Sequence, residues 1–277
     1  MARALPRVLS HPFPHPLPRP APRPPLEPLA EPMNPIVVIP SRMASSRLPG
    51  KPLADIAGRP MVVHVLDRAR AAGIGPVAVA CAEEAVAAAV RAAGGIAIMT
   101  DPALPSGSDR VQAALAALDP AGEHDVVVNL QGDFPTVDPV AIRAALDPLA
   151  DPACDIGTLV APIETEAEAA LPSVVKAACA FAPGAAIAPA LYFSRGVIPS
   201  GDGPRWHHVG IYAWRRAALA RFTALPPSLL EQRETLEQLR ALEAGMRIVC
   251  ARIPVGPFGV DTPADLERAR QILGTTR

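Results

Sequence analysis

Short apolar runs alternate with stretches of helical period through the first half of the chain. Residues 36–39 (IVVI) read as a buried strand. A helix follows from Pro60, a good first-turn residue, to a stop at Gly73. Its apolar positions Met61, Val62, Val65, Leu66 and Ala69 recur on one face. Residues 77–80 form a strand, 83–93 an alanine-rich helix closed by Gly94-Gly95, and 96–99 the next strand. Ser108 can cap a helix running to Leu118. Residues 125–130 make a strong buried strand that ends at Gln131-Gly132-Asp133, and Asp138-Pro139 opens another helix. Strand and helix in alternation predict βαβ units and a largely parallel sheet.

The second half is more mixed. Residues 156–162, 174–181, 190–194 and 209–214 read as strands with few helices between them. Ser228 and Glu231 have capping-box spacing and predict a helix to about residue 244, stopped by Gly245. A strand over 246–253 precedes a second capping arrangement, Thr262 to Asp265, which opens the last helix. No internal repeat is visible.

The loop after the first strand changes the picture. It carries Arg42, Arg47 and Lys51, with Ser41 just before the first, Ser45 and Ser46 between the arginines and Gly50 before the lysine. Three cations beside a buried strand end are costly unless something neutralises them. A triphosphate would, and ligands of open α/β sheets bind at the carboxyl ends of strands. Arginine offers a planar fork that matches phosphate oxygens, lysine a mobile point charge. The loop is neither GxxxxGK[ST] nor GxGxxG. An ordinary solvated loop is the alternative.

Composition bounds the partners. Half of the 277 residues are hydrophobic, enough for a substantial core, and 4% are aromatic, so few platforms exist for stacking bases. Lys+Arg number 26 against 27 Asp+Glu, so the basic excess of a nucleic-acid binder is absent. No apolar run approaches the ~20 residues that span a bilayer, which predicts a soluble, cytoplasmic protein. Cys81, Cys154, Cys179 and Cys250 form no CxxC pair and read as buried free thiols. Residues 1–32, with prolines at 12, 14, 16, 18, 20, 22, 24 and 25, exclude helix and sheet and lack a secretory apolar region. They are expected to be a disordered extension, or to precede the true start at Met33.

Two aspartates could serve metal chemistry. Asp133 ends a buried strand beside Gly132, and Asp261 stands in GVDTPADL. Each is equally readable as a turn or capping residue. Mg²⁺ typically takes one or two protein carboxylates and completes its shell with phosphate oxygens and water.

The run R-x-x-S-x-R-L-P-G-K-P-L, from Arg42 to Leu53, resembles the signature of the sugar-activating nucleotidyltransferases, and within them the CMP-Kdo synthetase family. The resemblance extends from about Met33 to Arg270. It includes Gln131-Gly132-Asp133 (Q-G-D), Ser106 to Arg110 (S-G-T-[DE]-R), Tyr192 to Arg195 (Y-F-S-R), His208 to Tyr212 (H-x-G-I-Y), Leu236 to Arg240 (L-E-Q-L-R) and Gly259 to Leu266. It implies a Rossmann-like α/β fold with a mixed central sheet and a small β-rich sugar-binding and dimerisation insertion over about 160–225. It implies transfer of CMP from CTP to 3-deoxy-manno-octulosonate (Kdo) for lipopolysaccharide synthesis, by a cytoplasmic homodimer. It implies nucleotide contacts from Pro40, Ser41, Arg42, Ser45, Arg47, Lys51, Ser106, Gly107, Arg110, Gln131 and Gly132. Sugar contacts fall to Gln131, Arg195, His208, Tyr212, Glu237 and Gln238, with Arg195 facing the sugar carboxylate, and Mg²⁺ falls to Asp133 and Asp261. The catalytic set that the resemblance implies is Lys51, Arg47, Asp133 and Asp261. Read without the family, Tyr212 is core, Glu237 a solvated helix residue and His208 either structural or a ligand.

Two segments depart from the pattern. Phe134 stands where the family commonly has glutamate, and Cys81-Ala82 replaces Thr-Asp after the second strand. Another acidic sugar as substrate (a sialic acid or amino-Kdo), or a non-catalytic nucleotide-binding regulator, therefore stays open.

Overall fold

The chain's first strand, β1 (Pro35–Ser41), sends Ile36 and Val38 to one face of a sheet and Val37 and Ile39 to the other. All four are fully buried, so β1 is central. The computed structural model describes residues 33–44 and 47–274. The expectation for 1–32 lies outside the described residues.

After β1 the chain makes a one-turn 3₁₀ helix at Lys51–Leu53 and a small ribbon, β2 (Asp55–Ile56) and β3 (Arg59–Pro60). Helix α1 (Met61–Ala72), β4 (Val77–Cys81), α2 (Glu84–Ala92), β5 (Ile96–Met99), α3 (Gly107–Leu118) and β6 (Val126–Leu130) follow. Strands β5, β4, β1 and β6 lie side by side, all parallel. Their helices cover both faces, as parallel strands buried on both sides require. One face packs Val37, Ile39 and Val79 against α1 and α2. The other packs Ile36, Val38 and Val127 against α3.

Then come α4 (Pro139–Ala144), a 3₁₀ turn at Asp147–Ala150, β7 (Ile156–Pro162), α5 (Glu166–Ala169), β8 (Lys176–Cys179), β9 (Ile187–Ser194) and β10 (Trp206–Arg215). The chain ends with α6 (Arg216–Thr223), α7 (Leu229–Glu234), α8 (Gln238–Glu243), β11 (Ile248–Arg252) and α9 (Pro263–Gly274). The complete order is β5-β4-β1-β6-β10-β7-β11-β9-β8. Strand β10 runs antiparallel to β6 and β7, so the sheet is mixed. Strand β8 returns to pair with the start of β10, at Trp206 and His207, and curls the far edge of the sheet back on itself. The segment expected as an insertion over 160–225 is therefore continuous with the one sheet.

Four local expectations change. Ser106, not Ser108, caps α3: its hydroxyl accepts from Asp109 N at 3.1 Å. The helix expected to run from Ser228 to about residue 244 is two helices, α7 and α8, parted at Thr235 with φ 53°. Helices α5 and α6 arise in the connections between the expected strands, where no element was assigned. Strand β8 is shorter than the expected 174–181. The cysteines are free as expected, with Cys81, Cys154 and Cys250 buried.

Candidate active site

The ends of β1, β6 and β11 deliver three chemistry-bearing loops to one place. Gly50, at φ 71°, turns the loop after β1 through a left-handed conformation that favours glycine and leads into Lys51. Met43 N donates to Glu83 Oε2 at 3.0 Å and ties the same loop to the start of α2. No sequence signal marks Glu83 for that task. Asp133 leaves the end of β6. The loop after β11 docks on it, Val260 N donating to Asp133 O at 2.9 Å. That backbone bond brings Asp261 beside Asp133.

Lys51 stands between them. Its ammonium donates to Asp133 Oδ2 at 3.1 Å and to Asp261 Oδ1 at 3.0 Å. Arg47 pairs with Asp261 Oδ2 at 3.0 Å. Burial works to lower the Lys51 pKa, but the two carboxylates outweigh it and the net shift is upward, so Lys51 is charged here. The second oxygen of Asp133, Oδ1, is buried and has no hydrogen-bond partner. Buried carboxylate oxygens normally have one.

The capping alternatives for both aspartates can now be judged. Thr262 and Asp265 cap α9 reciprocally: Asp265 N donates to Thr262 Oγ1 at 3.2 Å and Thr262 N to Asp265 Oδ2 at 2.8 Å. Asp261 joins the cap only through its backbone N, which donates to Asp265 Oδ2 at 3.2 Å, and turns its carboxylate to Lys51 and Arg47. Asp133 likewise gives Oδ2 to a side chain. Two carboxylates that meet within about 3 Å of one cationic nitrogen, with a spare oxygen, suit a hard cation that takes oxygen ligands. Among the described residues there is no cluster of three or more His, Cys, Asp or Glu that could hold a metal.

Above this pair opens a cleft of about 350 Å³. Pro40, Ser41, Arg42, Arg47 and Lys51 line one wall. Ser106, Gly107, Arg110, Gln131, Gly132 and Asp133 line the rest, with Ala44 and Pro52, which no sequence reasoning had singled out. Every nucleotide residue expected from the sequence is here except Ser45, which lies outside the described residues. The Ser41 hydroxyl is buried and unpartnered. Gly132 is favoured by close approach: a Cβ there would sit 3.0 Å from Pro40 O. Arg110 is only 2% exposed, and its guanidinium donates to Thr100 Oγ1 (2.6 Å) and Asp101 O (3.0 Å), so it holds the 100–102 turn. Burial, then the nearby Arg42, lowers its pKa.

The expected sugar residues divide. Glu237 reaches the cleft rim through Ser106, whose hydroxyl lies 3.0 Å from its Oε1. Burial raises the Glu237 pKa. His208 and Gln238 are buried, with Tyr212 half-buried beside them. His208 Nε2 is 3.0 Å from Thr158 Oγ1, its Nδ1 is 3.5 Å from Gln238 Nε2, and its ring packs against Phe193 and Tyr212. Burial pushes His208 down to about 3, so it is neutral, and pushes Tyr212 up. Arg195 is not in the cleft lining. It donates to Glu234 O (2.9 Å), Thr235 O (3.2 Å) and Pro172 O (3.0 Å), and so clasps the break between α7 and α8. Lys176 is buried with its ammonium on the carbonyls of Leu171, Val174 and Arg195.

A profile of the cytidylyltransferase family matches residues 36–248, which contain the cleft and every site residue expected from the sequence except Asp261. The chain belongs to the cytidylyltransferase family. Among its relatives is a 3-deoxy-manno-octulosonate cytidylyltransferase of Rhodospirillum centenum, 62% identical over 87% of this chain and 93% of that protein. A second, from Bradyrhizobium sp. strain ORS 278, is 63% identical over 86% of this chain and 96% of that one. A solved structure of CMP:2-keto-3-deoxy-manno-octonic acid synthetase complexed with CTP superimposes with a TM-score of 0.79 at 42% identity, covering 88% of this chain and all of the other. This cytidylyltransferase has, among its described residues, no helix long and apolar enough to cross a membrane.

Proposed function

We propose that this cytidylyltransferase transfers CMP from CTP to Kdo, giving CMP-Kdo and pyrophosphate. The observation that carries the reading is the meeting of Lys51, Asp133 and Asp261 beneath a cation-lined cleft, in a chain about 60% identical to Kdo cytidylyltransferases along nearly their whole length. The sugar's anomeric hydroxyl attacks the α-phosphorus in line, a P–O bond to that oxygen forms, and the bond to the β-phosphate oxygen breaks. The hydroxyl proton leaves to solvent.

Arg42, Arg47 and Lys51 line the wall of the cleft and are the groups able to hold the departing pyrophosphate. Gly107 and Gln131 both line the cleft, where a Cβ added at Gly107 would lie 3.8 Å from Gln131 Oε1, so the glycine leaves space for the nucleoside. Glu237, on the rim through Ser106, is placed to meet sugar hydroxyls. Asp133 and Asp261 would hold Mg²⁺, which supplies charge neutralisation at the α-phosphate and the attacking oxygen when bound. Their acid oxygens and the unpartnered Asp133 Oδ1 support that assignment.

The same reading makes the enzyme a cytoplasmic homodimer that feeds lipopolysaccharide synthesis. The exposed apolar side chains Ile187 and Leu191 on β9 support the dimer, which light scattering tests. Pyrophosphate release with CTP plus Kdo, run beside CTP plus sialic acid and CTP alone, tests the reaction. Release with Kdo and in neither other arm supports it. Release with sialic acid instead, or tight CTP binding with no release, overturns it.

A further inference from the structure

We propose that Lys51 is a resident counter-ion: it occupies the place between Asp133 and Asp261 in the nucleotide-free protein, disfavours a divalent cation there, and yields the place when a triphosphate draws its ammonium away. The inference rests on the metal assignment made above and adds the order in which charges change partners.

The geometry is a closed set. Two carboxylates are matched by two side-chain cations, Lys51 on both acids and Arg47 on Asp261. A divalent cation arriving alone would enter a site already neutral, against a lysine 3.0 Å from one acid and 3.1 Å from the other. Repulsion and loss of the two lysine hydrogen bonds both oppose it.

The same two cations line the nucleotide cleft. A triphosphate there offers Lys51 new anionic oxygens that a turn of its flexible four-carbon stem can reach. Arg47, with its side chain 61% exposed, is freer still to follow. The acids, stripped of their cations, are then left for the metal. Asp133 Oδ1, buried and unpartnered, is the oxygen that the lysine leaves unclaimed. Nucleotide and metal therefore strengthen one another's binding, and by linkage the effect is reciprocal.

The probe is Mn²⁺, titrated into nucleotide-free protein and followed by the electron paramagnetic resonance of the free ion. Lys51→Met keeps the stem and removes the charge. It should bind Mn²⁺ alone on the order of tenfold more tightly than the wild type, a coupling of ordinary allosteric size. Lys51→Arg, which keeps the charge, should stay near the wild type. Thermal unfolding gives a second readout: Mn²⁺ should raise the Tm of Lys51→Met more than that of the wild type. If Lys51→Met does not fold, the wild type alone decides. Its Mn²⁺ affinity must rise when CTP is added, after the nucleotide's own Mn²⁺ complex is subtracted. Equal Mn²⁺ affinity in wild type and Lys51→Met without nucleotide, or no rise with CTP in the wild type, overturns the proposal. The metal assignment fails separately: Mn²⁺ bound as tightly by Asp133→Asn as by wild type, with CTP present, would remove the acids from the site.

Discussion

Gly132→Ala tests how closely the strand ends set the site. The added methyl would lie 3.0 Å from Pro40 O and 3.7 Å from Ile39 Cγ2. The second contact is ordinary; the first is tight and involves backbone, so it can be relieved only by moving the end of β6 away from the end of β1 by a few tenths of an ångström. One such contact belongs at the low end of overpacking costs, about 1 kcal/mol. For a domain of this size that lowers Tm by about 2–4 °C. The functional effect should be larger than that. Asp133 is the next residue, its Oδ2 3.1 Å from Lys51, and a displacement of about 1 Å can cost 10²-fold in rate, so a few tenths should cost about tenfold in kcat. Pyrophosphate release at saturating CTP and Kdo, read beside a thermal melt well above the assay temperature, separates the two. A variant with the lowered Tm and the full wild-type kcat would refute the argument that the β1–β6 spacing positions Asp133.

Three further outcomes follow from the same contacts. Asp261→Asn should lower pyrophosphate release by about 10²–10³-fold while the melt changes little, because half-exposed ion pairs contribute only about 0–1 kcal/mol; a full rate would return Asp261 to a structural role at the start of α9. His208 is held neutral by burial, its pKa about 3 in the fold against an ordinary 6.5. The folded value is the lower one, so the stability is complete above about pH 6.5 and lost as pH falls towards 3, at up to about 1.4 kcal/mol per pH unit. Urea midpoints between pH 7.5 and 4.5 should fall more steeply for wild type than for His208→Gln, and parallel curves would contradict the assignment. Arg195→Lys removes the planar fork that spans Glu234 O, Thr235 O and Pro172 O. It should lower Tm while the KM for Kdo changes little; a raised Kdo KM at unchanged Tm would place Arg195 on the sugar carboxylate instead.

What the sequence makes legible is what local pattern decides. β4 is uniformly apolar and β6 is apolar but for Asn129, and each is buried along its full length, as a strand covered on both faces must be. The cleft residues were legible because they lie at the carboxyl ends of those strands and on one cationic loop. The cap of α3 is local too: Ser106 and Asp109 have S-x-x-D spacing, and Ser106 Oγ accepts from Asp109 N. The break at Thr235 was not legible, because its cause is remote. Glu234 accepts from Ser194 Oγ at 2.8 Å and Arg195 N at 2.9 Å, contacts made across 40 and 39 residues, and the helix that the local pattern would continue is parted at that anchorage.

The same distinction governs the site. Lys51, Asp133 and Asp261 could each be picked out singly, but their mutual neutralisation could not. It depends on β1 pairing beside β6, and on Val260 N finding Asp133 O, neither of which leaves a trace in local composition. A cationic loop over a strand end suggests charges waiting for a ligand. Sheet order instead gives two of them, Arg47 and Lys51, partners inside the protein, and so a nucleotide must compete with Asp133 and Asp261 for these two cations. The affinity for CTP alone should therefore fall short of what the cations on the cleft wall suggest, and recover when a divalent ion takes over the acids.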